Sequence, residues 1–472
     1  MTRLAAGRRA LSGVVALLVP LAGCGAGTAP AEDRTGPWPQ RPVVDASLDM
    51  APDMASATGT ESVRFTPDAR ICELVFRNWV NRPAAVSDGT SSTITSAAVD
   101  GAPVTARVDG AGAPDGAPGT LVTLPLPRCV EAGTPVHADL GFRIALGADS
   151  TERIGYAPES HTAWLGTAMP VLAWVRGEGW VRDPAVRMSG ETVVSEEFRL
   201  NALRVTANAD QAVAGTGTPT GTSTPAPGRI THAFTADAVR DIAVSAGDYA
   251  ITEVTSGPTR IHVAVPRSGV RSTGRDWADE HVAELGKLQD LLGPYPYPDL
   301  WVTVTPTLSD GIEFPTHLQY GDVSRRTRPS LVAHELAHQW FYSLVGNDQS
   351  RDPWLDESFA TYAQAVVSGQ QGEYPLRERG DPDVRGPVGA PMSYWDGHGG
   401  FSAYSVGVYD QGAAALLAGR DRAGAQRFDP ALRAYLAANA HRVVRPPAVE
   451  AAFRDLPQVL DVLRERGAFR TS

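Results

Sequence analysis

The chain has 472 residues, of which 43% are hydrophobic, and it carries a formal net charge of −11 at pH 7. This length and apolar fraction are sufficient for two substantial domains, each with its own buried core. The net charge is negative and no basic run follows the first nine residues. These features exclude an electrostatic footprint for nucleic acid, and we expect no nucleic-acid partner.

The N-terminus predicts an exported protein. Three arginines among the first nine residues precede a short apolar segment, residues 10–21. Because this segment is too short to span a membrane, residues 1–23 are predicted to be a signal peptide. Its ending, L-A-G-C, resembles the bacterial lipobox, in which the cysteine (here Cys24) is lipidated after cleavage; the alternative is an ordinary secretory signal with a coincidental cysteine. We expect an extracytoplasmic protein that is lipid-anchored to the bacterial cell membrane.

A tether and then a β domain are predicted to follow. Residues 24–58 are rich in Ala, Pro, Asp, Thr and Gly, a composition that is typical of a flexible linker. From 59 to 255 the sequence consists of short alternating segments, such as Phe198–Val205, that are separated by Gly, Pro and Asp. This pattern predicts antiparallel sheets packed as a β-sandwich. Within it, the Thr-, Pro- and Gly-rich residues 215–228 are expected to form a mobile loop.

Two further cysteines, Cys72 and Cys129, lie in this β half. A pair of cysteines in an oxidising compartment predicts a possible disulfide within the N-terminal domain. The alternative is two reduced, buried thiols. Neither cysteine has the C-x-x-C spacing of a zinc ribbon, so both are expected to be structural.

Residues 256–472 combine strands with helices. Ile261–Val265 and Trp301–Thr305 are predicted strands, and Arg275–Leu292 between them is a predicted helix. Two further helices are expected around residues 330–365, and more helical segments follow in the C-terminal part. The second half is therefore predicted to be a separate α+β domain.

The most specific motif is H-E-x-x-H at residues 334–338, followed after eighteen residues by Glu357. Because His334 and His338 are four residues apart on a helix, both imidazoles project from one face toward a single ion. Glu335 lies on the same turn, where it can take a proton from a water molecule. With Glu357 as third ligand, a zinc ion keeps one open position, as hydrolytic catalysis requires. The alternative is a buried helix whose two histidines merely form hydrogen bonds.

The flanking residues support two helices for this motif. Pro329 and Ser330 predict the start of the first helix, and Gly346 is the expected C-cap. Asp352 followed by Pro353 predicts the start of the second helix, which carries Glu357.

Several motifs together resemble the aminopeptidase-N-like zinc metallopeptidases. The pattern H-E-x-x-H, eighteen residues, then Glu continues here into the block D-E-S-F-A at residues 356–360. Upstream, Asp310–Thr316 resembles the family's G-x-M-E-N element, in a variant that continues with an aromatic residue and Pro-Thr. Downstream, Ala403–Gly412 resembles its Y-x-K-G element, and Gly293–Tyr297 resembles a turn that precedes the catalytic sheet. The resemblance extends over about residues 60–420 in the family's order.

This resemblance implies one zinc ion per chain, bound by His334, His338 and Glu357, with Glu335 as the general base in peptide hydrolysis. The expected fold is a saddle-like N-terminal β domain followed by a thermolysin-like catalytic domain. The long C-terminal helical domain of many relatives is not expected after residue 472, which implies a more open cleft.

The resemblance also implies two residues that act on the substrate. Tyr409 is expected to donate its hydroxyl to the oxyanion of the reaction, and Tyr404 is the weaker candidate. Glu313, on an edge strand beside the zinc, is expected to hold the α-amino group of a peptide, which would make the enzyme an aminopeptidase. The alternatives are a core aromatic for Tyr409 and an ordinary strand-end carboxylate for Glu313.

The chain departs from the family pattern in the residues around the site. Asp310, Ile312 and Phe314 replace the glycine, methionine and asparagine of G-x-M-E-N, and Gln411 replaces a lysine. Gln364 stands where a glutamate often supports a zinc-bound histidine. None of these changes removes a ligand, the base or the oxyanion donor.

Two alternatives to an aminopeptidase remain open. One is an exported zinc endopeptidase whose altered G-x-M-E-N element admits internal peptide bonds. The other is a catalytically weak, surface-binding lipoprotein of the same fold. No obligate protein partner is evident, and we expect peptides as the substrates.

Overall fold

The computed structural model describes residues 34–190, 194–378 and 380–470. The predicted signal peptide and Cys24 lie outside the described residues, so the structure does not bear on them. In the described part of the chain, no helix is long and apolar enough to cross a membrane. All described residues fall within one compact unit.

The first half of the described chain is formed by β-strands. One short helix, α1 (Pro83–Ser87), interrupts them. The strands are β1 (Val43–Met50), β2 (Ser56–Phe65), β3 (Ile71–Arg77), β4 (Ser91–Val99), β5 (Ala102–Pro103), β6 (Arg107–Asp109), β7 (Leu121–Val130), β8 (Val136–Ala145), β9 (Ile154–Ala157), β10 (Thr162–Gly166), β11 (Val171–Leu172), β12 (Trp174–Val175), β13 (Gly179–Trp180), β14 (Phe198–Asn208), β15 (Ala212–Gly215), β16 (Thr218–Ala226), β17 (Arg229–Val239) and β18 (Ala243–Gly247).

These strands pair into several sheets that enclose a common apolar core. The largest sheet has the order β16-β17-β14-β1-β2-β8-β4-β5, and two four-stranded sheets have the orders β15-β18-β10-β9 and β11-β3-β7-β6. All pairs are antiparallel except β1 with β14. Alternate residues of β2 are buried, because successive side chains point to opposite faces of a sheet. The predicted antiparallel β architecture of this half is confirmed.

The structure differs from the predicted tether at residues 24–58. Residues 43–50 form β1, which lies inside the largest sheet, and β2 begins at Ser56. Val44, Ala46, Leu48 and Met50 are buried. Their period-two alternation fits a strand with one buried face, and pairing with β2 and β14 holds it in the sheet, although the surrounding Pro, Ala and Asp residues suggest a linker by composition.

Two further boundaries differ. The expected mobile loop at residues 215–228 contains the edge strand β16, whose polar residues pair with β17 through backbone hydrogen bonds. The predicted domain boundary at residue 255 falls inside strand β19 (Tyr249–Ser256), which belongs to the five-stranded sheet of the second half. The β-rich half therefore ends near residue 248.

The second half contains seven strands and nine α-helices within the described residues. Its strands are β19 (Tyr249–Ser256), β20 (Thr259–Pro266), β21 (Asp299–Thr305), β22 (Gly311–Phe314), β23 (His317–Gly321), β24 (Val345–Asn347) and β25 (Arg442–Val444). Its α-helices are α2 (Gly274–Leu292), α3 (Arg328–Ala337), α4 (Trp354–Val367), α5 (Met392–Gly397), α6 (Gly400–Tyr404), α7 (Gln411–Ala423), α8 (Ala425–Asn439), α9 (Pro446–Ala452) and α10 (Pro457–Glu465). A π-helical segment, Ser405–Asp410, joins α6 to α7.

A five-stranded sheet supports the catalytic half. Its order is β19-β20-β21-β23-β22, so β22 is an edge strand, antiparallel to β23. The predicted strands around Ile261 and Trp301 correspond to β20 and β21. The predicted helix between them is α2, which begins with a capping box between Thr273 and Asp276. The α+β fold class is confirmed.

The structure joins Cys72 and Cys129 in a disulfide. Cys72 lies on β3 and Cys129 on β7, and these two strands pair antiparallel. The bond links the outer ends of two strands that are far apart in the sequence.

The buried His317 connects two of the sheets. The Nδ1–H of His317 on β23 donates to the carbonyl of Ala243 on β18 at 3.1 Å, and the Thr303 hydroxyl lies 2.9 Å from Nε2. His317 therefore has a structural role and joins the β-rich half to the catalytic sheet. Burial lowers the pKa of His317 to about 4.

We predict that His317 makes folding sensitive to acid. In the unfolded chain its pKa returns to about 6.5, so between pH 6.5 and 4 the unfolded state binds one more proton and stability falls with pH. Acidification from pH 6.5 to 4.5 should cost about 2 kcal/mol at this site. Denaturant unfolding of the wild type and of His317→Gln at both pH values should show a smaller loss in the variant.

The matched control is His398→Gln, which removes an exposed histidine. It should retain the pH dependence of the wild type. If His317→Gln lost as much stability on acidification as the wild type does, the assignment of acid sensitivity to this residue would be contradicted.

Candidate metal centre and catalytic cleft

The two helices of the motif bring three ligand atoms together. His334 lies on α3 and His338 directly follows it, while Glu357 lies on the first turn of α4. The Nε2 atoms of the two histidines are 3.2 Å apart, and each is 3.3 Å from Oε2 of Glu357. The three residues form a buried group with the donor set of a metal centre.

The geometry of this triangle fits zinc. Tetrahedral ligands at zinc distances of about 2.0–2.1 Å lie roughly 3.3–3.4 Å from one another, which is close to the separations observed here. Oε2 of Glu357 is buried and accepts no hydrogen bond. A buried carboxylate oxygen without a hydrogen-bond donor is costly, and a cation at the centre of the triangle supplies the missing interaction.

The surrounding groups orient both imidazoles toward this point. The Nδ1–H of His338 donates to the carbonyl of Phe341 at 3.2 Å, which leaves Nε2 free of its proton for a metal. The Gln364 side chain lies close enough to His334 to raise the pKa of its imidazole, against the larger effect of burial. Gln364 is held in turn by the hydroxyl of Tyr374 at 3.0 Å. Gln364 thus contacts His334 at the position where the family often has a glutamate.

The boundaries of the first zinc helix differ from the prediction. It begins at Arg328, with Thr327 as N-cap, and it ends at Ala337 instead of near Gly346. The residues that follow form turns in which Tyr342 has a φ of 102°. The apolar pattern continues through Leu344 because these turns are as buried as the helix, so hydrophobic spacing alone did not reveal the end.

Two further carboxylates lie against the metal group. Glu313, Glu335 and His338 each contribute one side-chain ligand atom to a second group, and these three atoms lie within 4.8 Å of one another. Glu313 is on the edge strand β22, as predicted, and Glu335 projects from α3. Burial raises the pKa of both carboxyl groups, and their mutual repulsion adds to the effect on Glu335.

The backbone of β22 fits closely against the expected base. A Cβ atom at Gly311 would lie 2.4 Å from Cγ of Glu335, well inside any normal contact. Gly311 therefore lets the edge strand approach α3. The same approach places Glu313, two residues farther along β22, beside the metal group.

Tyr409 lies beside the metal group. Its ring stacks on His334, with ring centroids 5.7 Å apart and an angle of 14° between the planes. It belongs to the π-helical segment, a local irregularity that often occurs at functional sites. Tyr404 is fully buried and contacts Tyr409 edge-on, so it lies in the wall behind Tyr409.

These residues line one cleft of about 300 Å³. Its wall includes the metal group, Glu313, Glu335 and Tyr409, together with the mostly exposed Phe401. The remaining lining residues are Asp310, Gly311, Thr327, Ser330, Leu331, Thr361, Gln364, Tyr374, Ser405 and Asp410.

The sequence did not identify a buried polar network behind the site. The Gln349 side-chain amide lies 3.0 Å from Oδ2 of Asp356 and 3.5 Å from Oε1 of Glu313. Asp356 directly precedes the ligand Glu357, and burial raises its pKa. The network thus connects the metal helix to Glu313. Asp356 stands inside the D-E-S-F-A block, but no sequence signal connects Gln349 with Glu313.

Solved structures share this fold. An M1 zinc metallopeptidase from Deinococcus radiodurans aligns with a TM-score of 0.64 at 20% identity, covering 92% of this chain and 95% of that chain. A mutant described as a two-domain M1 zinc metallopeptidase bound to L-tryptophan aligns with a TM-score of 0.65. At this level of identity the similarity establishes the fold.

Curated relatives match over short segments. The aminopeptidase N of Streptomyces lividans is 50% identical over 45 residues, which are 10% of this chain and 5% of that protein. The putative aminopeptidase-2 of Caenorhabditis elegans is 33% identical over 137 residues, which are 25% of this chain and 7% of that protein. The alignments therefore cover less than a tenth of the length of either relative.

Residues 317–381 match the Peptidase family M1 domain. This segment contains His334, Glu335, His338 and Glu357, so the match and the geometry coincide. Over this segment the chain is similar to M1 peptidases. The predicted resemblance to aminopeptidase-N-like enzymes is confirmed at the level of the family, and so is the assignment to the zinc metallopeptidases. Zinc is the cofactor that this similarity implies, and the buried ligand triangle fits it.

We predict that Gln364 influences the zinc affinity of this protein. Gln364→Leu removes the polar group beside His334, and loss of such a partner typically weakens metal binding about 10- to 100-fold. Gln364→Glu should strengthen binding, because a carboxylate polarises the imidazole more strongly. Competition with a chelator of known zinc affinity measures both changes.

The control is Gln371→Leu, which alters an exposed glutamine outside the cleft. It should bind zinc as the wild type does. Equal affinities for Gln364→Leu and the wild type would show that Gln364 does not support His334.

Proposed function

We propose that this protein is a zinc aminopeptidase that removes N-terminal residues from peptides. The observation that carries the proposal is the position of Glu313. Its buried carboxylate lies on the edge strand that borders the cleft, within 4.8 Å of the expected base and of a zinc ligand. A carboxylate in this place can bind the positive amino group of a peptide through a charge-assisted hydrogen bond.

The chemistry follows from groups that surround one point. Zinc held by His334, His338 and Glu357 would supply the Lewis acidity that activates water and polarises a carbonyl. Glu335 accepts the proton of the attacking water and delivers it to the leaving amine. Burial raises its pKa, which suits a group that must both accept and release a proton.

Two residues position and stabilise the substrate. Tyr409 donates its hydroxyl to the carbonyl oxygen as negative charge develops there. Glu313 fixes the amino terminus and thereby the distance from the free amine to the bond that is cleaved. A fixed amine at this distance restricts hydrolysis to the first peptide bond.

The relatives support this proposal. The short matches include aminopeptidase N of Streptomyces lividans and of Lactococcus lactis. A mutant of the Deinococcus radiodurans enzyme has been solved bound to a Tyr-Ser-Ala substrate, and a two-domain M1 mutant bound to L-arginine. A tripeptide and single amino acids are the expected substrate and products of an aminopeptidase.

We predict that only peptides with a free amino terminus are cleaved. Zinc-loaded protein should remove residues one at a time from a short peptide and leave its N-acetylated form intact. In Glu313→Gln, kcat/KM for the free peptide should fall roughly 10- to 100-fold, the value of one hydrogen bond to a charged group. Chromatography of the digests at successive times measures both the order in which residues are released and the rate of cleavage.

The control for this experiment is Glu159→Gln, which changes an exposed glutamate of the β-rich half. Equal cleavage of the free and acetylated peptides would instead identify an endopeptidase. Absence of cleavage by the zinc-loaded protein would favour a binding lipoprotein of the same fold.

We also propose that the mature protein is extracytoplasmic and attached to the bacterial membrane by lipid on Cys24. The support is the positive N-terminal region, the short apolar segment and the L-A-G-C ending. One or more acyl chains would hold the enzyme at the membrane surface.

We predict that Cys24→Ser releases the expressed full-length protein from the membrane fraction. Wild-type protein should sediment with membranes, and mass spectrometry should find an acylated N-terminal Cys24. An unmodified N-terminus at another residue, or membrane association that persists in Cys24→Ser, would refute the anchor.

A further inference from the structure

A second cavity, of about 310 Å³, lies where the N-termini of α2 and α3 meet. The cleft and this cavity are lined by neighbouring residues at the start of α3. Thr327, Ser330 and Leu331 line the catalytic cleft. The residues that line the second cavity are Arg271, Ser272, Asp276, Asp322, Val323, Ser324, Arg325 and Arg328.

Arg328 is a buried guanidinium without an acidic partner. It is only 5% exposed, and it lies over the Trp277 ring at 4.6 Å from the ring centroid. One of its amino groups donates to the carbonyl of Val323 at 3.4 Å, and its Nε–H has no acceptor. Among the described residues, no carboxylate lies within 4.0 Å of it. An arginine buried in this way normally has an anion beside it.

Arg325 adds a second positive group to the cavity. It is exposed, and it forms no ion pair within the described part of the chain. Burial raises the pKa of Glu280 on α2, and the nearby charges of Arg325 and Arg328 partly oppose this effect. Glu280 nevertheless forms no ion pair with either arginine.

The two carboxylates in the wall are already engaged. Asp322 accepts hydrogen bonds from the backbone and side chains of Arg271 and Ser272. Asp276 accepts from Thr273 in the capping box of α2. Arg271 is thus paired with Asp322, and within the described residues the guanidinium groups of Arg325 and Arg328 have no carboxylate partner. The N-terminus of α3, whose N-cap Thr327 provides no side-chain cap, adds partial positive charge.

We propose that this cavity binds an oxyanion through Arg325 and Arg328, and that the oxyanion is the C-terminal carboxylate of a short peptide substrate. The second part rests on the proposed aminopeptidase function. Arg328 and His334 lie on the same helix, six residues apart, which is about 9 Å along the helix axis. An extended peptide covers this distance in about three residues. A tetrapeptide with its amino terminus at Glu313 is therefore long enough to reach the start of α3, where the two arginines lie.

The first experiment tests the oxyanion site alone, with inorganic phosphate as the probe. The zinc-loaded protein is titrated with phosphate against chloride at constant ionic strength, and thermal unfolding is followed. The wild type should gain stability with phosphate, and the apparent Kd should rise at least tenfold in Arg325→Gln. Arg326→Gln is the matched control, because Arg326 is an exposed neighbour that does not line the cavity. It should behave as the wild type.

Two results would overturn the site. One is that phosphate stabilises the wild type no more than chloride does. The other is that Arg325→Gln and Arg326→Gln weaken phosphate binding equally. Both variants alter exposed side chains, so unfolding of the variant is not expected to obscure the result. This experiment needs no catalysis, and it remains decisive if the protein hydrolyses no peptide.

The second experiment identifies the source of the oxyanion. Tetra-alanine with a free carboxylate and its C-terminal amide are compared as substrates. The wild type and Arg326→Gln should favour the free acid at least tenfold in kcat/KM, and in Arg325→Gln the ratio should approach one. Phosphate binding together with equal cleavage of acid and amide would support a site for a free oxyanion and overturn its assignment to the peptide carboxylate.

Discussion

The interaction on which the site depends is the burial of Glu357 between two imidazoles. Its Oε2 lies 3.3 Å from each histidine Nε2 and has no hydrogen-bond donor. A charged group in this environment is unfavourable unless a cation compensates it, and Glu313, Glu335 and Asp356 add further buried carboxyl groups nearby. Zinc provides that compensation, so metal binding and the packing of α3 against α4 stabilise each other.

The local backbone explains how so many polar groups fit around one point. The edge strand β22 approaches α3 closely only because Gly311 has no side chain. The π-helical segment carries Tyr409, whose ring stacks on His334. Gln349 then links Glu313 to Asp356 beneath the cleft. These features hold Glu313 and Glu335 at different positions around the metal group. One carboxylate can therefore act as the base while the other binds the amino group of the substrate.

Much of the site could be predicted because its signals are local. The i, i+4 histidines and the following glutamate specify ligands by spacing alone, and the order of several motifs indicated the family. The parts that were missed depend on contacts between distant segments. Strand β1 is specified by pairing with β2 and β14, and the end of α3 is hidden because the following turns are equally buried. Gln349 and Arg328 acquire their surroundings only in the folded chain, so no sequence pattern marked them.

The proposed substrate site has a charged group for each end of a short peptide. Glu313 provides a negative group at one end, and Arg325 and Arg328 lie at the start of the helix that carries the zinc ligands. A short peptide at neutral pH has a positive amino terminus and a negative carboxylate, so its two ends match the two sites. Long chains can satisfy only the amino-terminal site. Electrostatic complementarity of this kind selects substrates by length, because the spacing between the two charged sites is set by the rigid helix α3.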